Sequence, residues 1–287
     1  MSDKLTVLVT GAGGRLAPFI VDAASKHHVL TTGRSSGDMP VDLMDQAALS
    51  RVMVDAAPNV VIHTAAYTDV DGCERNPLRA FQENAHIVER LVRSLPEKCH
   101  LVSVSTDQVY GNCPGPHVEG TENPINWYGL SKMAGEWAAL SSGRACVIRS
   151  NFFGPSRKVG HQSLSDFMIA TFRNGTPATL FSDVLFSPLH ASTLASILVA
   201  CAEQRLTGVF NAGSHEGMSK AEFGLEISQR MAGPDVGNVR LGVSSEIHGR
   251  APRPVDLRMC SKRLEDTLGV VLPTLSQEID KLEFEET

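Results

Sequence analysis

Lys4-Leu5-Thr6-Val7-Leu8-Val9-Thr10-Gly11-Ala12-Gly13-Gly14-Arg15-Leu16-Ala17 is a short β-rich run that breaks into glycines and then into a helical pattern through Phe19, Ile20, Ala23 and Ala24. Strand, tight turn and helix in that order form the opening unit of a parallel sheet. The glycines permit positive φ and let the backbone approach a pyrophosphate, whose charge is favoured at a helix N-terminus. The useful frame is Gly11-x-x-Gly14-x-x-Ala17, with Ala17 small enough for close helix–strand packing. A glycine-rich turn alone is compatible with an ordinary loop; the strand before it and the helix after it are what point to phosphate. Gly11, Gly13, Gly14, Arg15 and Leu16 are therefore expected to bind a dinucleotide.

The unit repeats downstream. His28-Val29-Leu30-Thr31-Thr32-Gly33 reads as a second strand, with Arg34, Ser35 and Ser36 at its end. A dinucleotide fold that prefers NAD usually carries an acid there. A guanidinium can instead pair with a 2′-phosphate, which favours NADPH and leaves NADH possible if Arg34 is only a solvated loop residue. Asp42, followed by Leu43, either accepts a hydrogen bond from an adenine amino group or caps the helix starting near Gln46. Asn59 to His63 is a third strand, leading to Ala65, Ala66 and Tyr67, where small residues let a coenzyme lie against the backbone. A helix from about Pro77 to Ser94 carries Asn84 among apolar positions. A mid-helix Asn usually has a hydrogen-bonding purpose, here bracing of neighbouring backbone or a catalytic part.

Cys99 to Val104 is the fourth strand, ending in Ser105-Thr106-Asp107-Gln108. Ligands of open parallel sheets sit at the carboxyl ends of strands, so Thr106 is placed to donate to a substrate carbonyl, although such a cluster also suits a turn. A Pro- and Gly-rich loop then delivers Asn126-Trp127-Tyr128-Gly129-Leu130-Ser131-Lys132. On a helix, Tyr128 and Lys132 share a face one turn apart. A free phenol titrates near 10 (roughly), and a nearby ammonium favours its ionised form. Such a pair can pass a proton to a carbonyl oxygen while a hydride moves. With Ala145 to Arg149 as the next strand, the fold class is α/β. We expect a Rossmann-type doubly wound parallel sheet over 1–150 and a smaller, interleaved substrate-binding lobe over 151–287. Some segments of the lobe, such as Gly208 to Gly213, are expected to return to the sheet.

The 287 residues carry a net charge of −6 and are 42% hydrophobic. That accommodates a substantial core and lacks the basic footprint of a nucleic-acid partner. No apolar run reaches the roughly 18 residues that would span a membrane. The six cysteines are scattered, with no C-x-x-C pair, which fits reduced thiols in a cytoplasm. The ten histidines show no metal-ligand spacing, so no metal is expected.

The glycine loop, Thr106 and Tyr128-x-x-x-Lys132 together resemble the extended short-chain dehydrogenase/reductase family. Within it, four stretches resemble the dTDP-4-dehydrorhamnose reductase branch: Thr64 to Asp71, Ser105 to Gly111, Tyr128 to Glu136, and Arg253-Pro254 through Leu257, Lys262 and Leu272-Pro273. The chain departs from the branch in two places. Gln108 replaces the usual aromatic residue; it also lacks the ionisable proton that a 4,6-dehydratase needs there. Leu189 stands where the branch favours Thr, which implies a different hexulose.

Beyond residue 150, Asn151-Phe152-Phe153-Gly154-Pro155 leaves the sheet toward the expected substrate side, and Ser219 with Glu222 forms a capping-box pattern. Arg250, Arg253 and Arg258, stiffened by Pro252 and Pro254, suit an anionic partner, although any one of them can be a solvated loop residue. The resemblance implies a nucleotide-diphosphate sugar as that partner, contacted by Thr106, Asp107, Asn151, Phe152, Arg253 and Arg258. It implies Thr106, Tyr128 and Lys132 as catalytic residues in reduction of the C4 keto group of a nucleotide-linked 6-deoxy-4-hexulose, in deoxysugar biosynthesis. A nucleotide-sugar epimerase is one alternative. A non-catalytic NADP-binding regulatory subunit, like that of methionine adenosyltransferase, is another. Monomer and homodimer are both compatible with the chain.

Overall fold

The computed structural model describes residues 4–156 and 162–284. The first half alternates as expected: β1 (Thr6–Thr10), α1 (Ala17–Ala23), β2 (His28–Thr32), α2 (Gln46–Ala56), β3 (Val60–His63), α3 (Val70–Arg75), α4 (Pro77–Phe81), α5 (Ile87–Ser94), β4 (His100–Thr106), α6 (Trp127–Leu140) and β5 (Ala145–Ser150). The remainder comprises β6 (Phe152–Phe153), α7 (Leu164–Asn174), β7 (Ala178–Phe181), β8 (Leu185–Phe186), β9 (Leu189–His190), α8 (Ala191–Glu203) and β10 (Gly208–Ala212). It closes with β11 (Met218–Ser219), α9 (Lys220–Arg230), β12 (Val239–Gly242), β13 (Asp256–Leu257), α10 (Lys262–Leu268) and α11 (Leu275–Ile279).

Six strands form one sheet in the order β10-β5-β4-β3-β1-β2, every neighbouring pair parallel. The chain leaves β1 toward β2 and returns to β3 on the opposite side. The strand order therefore reverses beside β1, at whose carboxyl end Gly11 lies, the place where open sheets of this kind bind ligands. β10 joins beside β5, as expected of Gly208 to Gly213.

Both sheet faces are covered, so the strands read as nearly continuous apolar runs. Alternation sends Val7, Val9, Ile62, Val102 and Ile148 to one face, where they pack with Ile20 of α1 and Leu194 and Leu198 of α8. Leu8, Val61, Leu101 and Val147 pack on the other face with Leu49, Met53 and Leu91 from α2 and α5. A third core, with Phe153, Phe172, Phe186 and Phe223, underlies the short strands of the second half. There Phe223 meets Phe153 and Phe186 edge-on, with ring centroids 4.9 and 5.3 Å apart.

Local chemistry refines three expectations. The helical stretch from Pro77 to Ser94 is interrupted by a π-helical turn, Gln82–His86, that carries Asn84. Asn84 braces backbone: its Oδ1 accepts from Tyr67 N at 2.8 Å, and its Nδ2 donates to Tyr67 O at 3.1 Å and Ser131 Oγ at 3.0 Å. The cap of α2 is Asp45, which accepts from Ala47 N and Ala48 N at 3.0 Å each, while Asp42 accepts from Met44 N. The capping box of α9 forms as its spacing predicts, with Glu222 N on Ser219 Oγ at 3.1 Å and Ser219 N on Glu222 Oε2 at 2.7 Å. Among the described residues no helix is long and apolar enough to cross a membrane, and no cluster of His, Cys, Asp and Glu is able to hold a metal ion.

Candidate active site

The glycine bend is sterically obligatory. Gly11 has φ +80°, and a Cβ there would lie 2.7 Å from Thr64 Oγ1 and 2.9 Å from Ala65 N. Gly14 N donates to Gly11 O at 2.7 Å, closing the turn, and Leu16 offers α1 no side-chain cap. Gly13 and Arg15 lie in the same turn, and Ala65, just beyond β3 and followed by Ala66, borders it. At the end of β2, Arg34 Nε stands 4.0 Å from Asp42 Oδ2, both side chains solvent-exposed. Such a pair is weak enough to reorganise around a ligand. Leu43 is buried in the α2-side core beneath Asp42. Tyr67 carries the Arg79 guanidinium over its ring at 4.1 Å.

α6 is drawn against the segment that follows β4 and against the π-helical turn by residues that lack side-chain bulk. A Cβ on Gly129 would lie 2.1 Å from Gln108 O, and one on Gly135 would lie 2.2 Å from Asn84 O. Asn126 caps the helix, accepting from Gly129 N at 2.7 Å, and its Nδ2 donates to Pro252 O at 2.9 Å and Gln108 Oε1 at 3.2 Å. Tyr128 and Lys132 are thereby buried on one face of α6. Lys132 Nζ donates to Val104 O at 2.8 Å, two residues before Thr106. Burial lowers the amine to about 8, opposed by Glu136 one turn further along.

The Tyr128 phenol differs from expectation. Burial pushes it well above its ordinary value, Asp107 adds to the rise, and the Thr106 side chain and Arg15 pull the other way. The dry surroundings outweigh the cations, and the Lys132 amine is directed to the Val104 carbonyl. A phenol in this setting keeps its proton until a neighbouring oxygen becomes basic enough to take it.

Thr106, Asp107 and Asn151 come together. Thr106 Oγ1 donates to Asp107 Oδ1 at 3.1 Å, and Asn151 Nδ2 donates to Asp107 Oδ2 at 2.7 Å. Burial raises the Asp107 carboxyl, opposed by these bonds and by the charge of Lys220. Phe152 lies under the Arg15 guanidinium at 5.4 Å, linking the glycine bend to the Asn151 side. Arg253 and Arg258 are already engaged. Arg253 forks onto Asp71 at 2.9 and 2.8 Å, and Asp71 also accepts from Ala251 N at 2.9 Å. These bonds hold the Asp71 carboxyl at about 2. Arg258 forks onto Asp256 at 3.0 and 2.7 Å. Leu189 is fully buried in the α1/α8 core, so the sugar preference is not legible from it.

Four residues in this region were not singled out by sequence reasoning. Asn126 reads only as a loop residue before the helix. Glu136 appears only as the last residue of the stretch Tyr128 to Glu136, and its partner Arg149 reads only as the end of a strand. Lys220 is hidden inside a capping-box pattern. It is half-buried at the start of α9; its backbone N donates to Val184 O at 2.9 Å, its ammonium has no hydrogen bond or ion pair among the described residues, and burial lowers the amine against the opposing charge of Asp107.

The family model for the RmlD substrate binding domain matches residues 5–284. A probable low-salt glycan biosynthesis reductase of Haloferax volcanii is 28% identical over 291 residues, spanning 96% of each chain. A dTDP-4-dehydrorhamnose reductase of Mycolicibacterium smegmatis is 31% identical over 268 residues, 90% of this chain and 78% of that one. The crystal structure of a dTDP-4-dehydrorhamnose reductase from Bacillus anthracis in complex with NADP has the same fold: the TM-score is 0.88 at 22% identity, over 97% of this chain and 98% of that one.

Proposed function

The chain belongs to the family of the RmlD substrate binding domain, among the extended short-chain dehydrogenase/reductases, and from that membership we propose that it is an NADPH-dependent reductase of the C4 keto group of a nucleotide-diphosphate-linked 6-deoxy-4-hexulose. The observation that carries this reading is the burial of Tyr128, Lys132 and Thr106 together at the carboxyl end of β4.

The residues fit a dinucleotide, because Gly11, at positive φ and packed against Thr64 and Ala65, makes a tight turn between β1 and α1 at the reversal of strand order. Gly11, Gly13, Gly14, Arg15 and Leu16 would hold its diphosphate. Arg34, Asp42 and Leu43 would hold the adenosine end, with Arg34 favouring a 2′-phosphate and NADH remaining usable. Ala65, Ala66, Tyr67, Tyr128 and Lys132 would line the rest, residues 1–150 serving as the coenzyme domain. NADP in the Bacillus anthracis relative supports the choice of coenzyme. When bound, the coenzyme supplies the hydride.

Tyr128 donates its proton to the oxygen on C4 as negative charge develops there. Thr106 donates a hydrogen bond to the same oxygen and fixes its position. Lys132 holds positive charge behind the phenol and is the group through which a proton returns to it. Asp107, Asn151 and Phe152 line the sugar side, with residues 151–287 supplying most of the substrate lobe. Arg253 and Arg258, each paired with an aspartate, shape the loop over the substrate, so cationic charge for the diphosphate falls to Lys220 and Arg250. A cytoplasmic setting accords with the free cysteines.

The test is to generate 4-keto-6-deoxy sugars in situ on several nucleotides and follow NADPH absorbance. Stoichiometric oxidation with one of them is expected. Tightly held NAD with no net NADPH consumption would replace this reading with an epimerase.

A further inference from the structure

The α6 face that carries Tyr128 and Lys132 has a further buried residue, Glu136. A buried carboxylate is costly unless its lone pairs are met and its charge is matched. Glu136 Oε1 accepts from Ser105 Oγ at 2.5 Å and from Arg149 Nε at 3.0 Å, and its Oε2 accepts from Arg149 Nη2 at 2.6 Å. Arg149 also pairs with Glu122 and donates to the Tyr110 hydroxyl at 3.1 Å; that hydroxyl in turn donates to Asn211 Oδ1 at 2.7 Å. Two strands grip the carboxylate directly, and Glu122 and Tyr110 hold Arg149 in turn, so it is fixed in place. Ser105, which holds it, directly follows Val104, whose carbonyl takes the Lys132 amine. Two consecutive residues of β4 thus fix a negative and a positive group on the same helix face.

The charges are unequal without Lys132. Arg149 is one cation against two carboxylates, Glu122 and Glu136. We infer that Glu136 is a positioning residue for the proposed reduction: clamped by Arg149 and Ser105, it holds a fixed negative charge beside the Lys132 amine and keeps that amine charged in a dry site. The inference rests on the reading of Tyr128 and Lys132 as the proton-handling pair. The other groups facing the amine do not substitute for Glu136. His63 of β3 is held neutral by burial, at about 3, and the Val104 carbonyl that β4 offers the amine carries no net charge.

Glu136→Gln keeps the shape and removes the charge. Two pH profiles read its effect: NADPH affinity by fluorescence titration without sugar, and kcat/KM for NADPH oxidation. In both, the alkaline limb is expected to fall about one pH unit below that of the wild type, because an amine without its counter-charge loses its proton earlier. Ser105→Ala removes one bond to the carboxylate and leaves the charge, so its limb stays in place. If Glu136→Gln unfolds, Glu136→Gln/Arg149→Gln also removes the stranded cation and is read in the same way. An alkaline limb that does not move in the folded variant overturns the inference. If no keto sugar is reduced by the wild type, the binding profile still decides the role of Glu136, and the proposed function fails separately.

Discussion

The two faces of the six-stranded sheet differ at the same height. Toward α1 and α8 the strands stay aliphatic to their ends, with Val9, Ile62, Val104 and Ile148. Toward α6 the same strands finish in Thr10, His63, Ser105 and Arg149, and the side chains bond to one another or to α6. At this height one face is a packing surface, and the other carries buried polar clusters on the side of α6 that bears Lys132. The difference separates what holds the fold from what serves the chemistry, and substitutions on the two faces should separate in the same way.

The largest effect is expected on the polar face. Lys132→Met strips the amine proposed to serve both coenzyme and phenol. Steady-state kinetics should show kcat/KM lowered about 100- to 10,000-fold, and NADPH binding should weaken as well. The matching change on the aliphatic face is Leu198→Ala. It should cost about 2–5 kcal/mol in urea unfolding and leave kcat of the folded fraction near wild type. If Leu198→Ala instead lowers kcat strongly while stability holds, the two faces are not distinct in function.

His63 tests the polar face from the stability side. In the folded chain it takes a proton only near about 3, against an ordinary value of 6.5. Between those values the unfolded chain binds the proton and the folded chain does not. Native stability should therefore fall as pH drops through that window, by at most about 1.4 kcal/mol per pH unit from this group. His63→Asn should flatten the slope in denaturant titrations at pH 4 to 6 (an approximate range, from the same linkage). The smallest effect is expected at the rim. Asp71→Asn releases Arg253 and Ala251, loosening the loop, and should raise KM for the sugar nucleotide by about tenfold or less, with little change in kcat.

The alternation of strand and helix, the glycine bend and the shared face of Tyr128 and Lys132 were legible because each depends on residues close together in the chain. Pairings across long separations were not. Nothing near Arg253 indicates that Asp71, 182 residues away, would occupy its guanidinium. Nothing near Arg149 marks it as the partner of Glu136. The cap of α2 fell to Asp45 because its position relative to the helix start, three residues beyond Asp42, lets it reach two free amides. The direction of the Tyr128 shift was misjudged because charge can be read from neighbours in sequence, whereas burial is a property of the packed fold.

The central claim is that the buried phenol of Tyr128 hands its proton to the substrate oxygen. Tyr128→Phe, assayed for NADPH affinity and for NADPH oxidation with a 4-keto-6-deoxy nucleotide sugar, tests it most directly. The predicted result is coenzyme affinity close to wild type with turnover reduced at least about 100-fold. Turnover close to that of the wild type would contradict it.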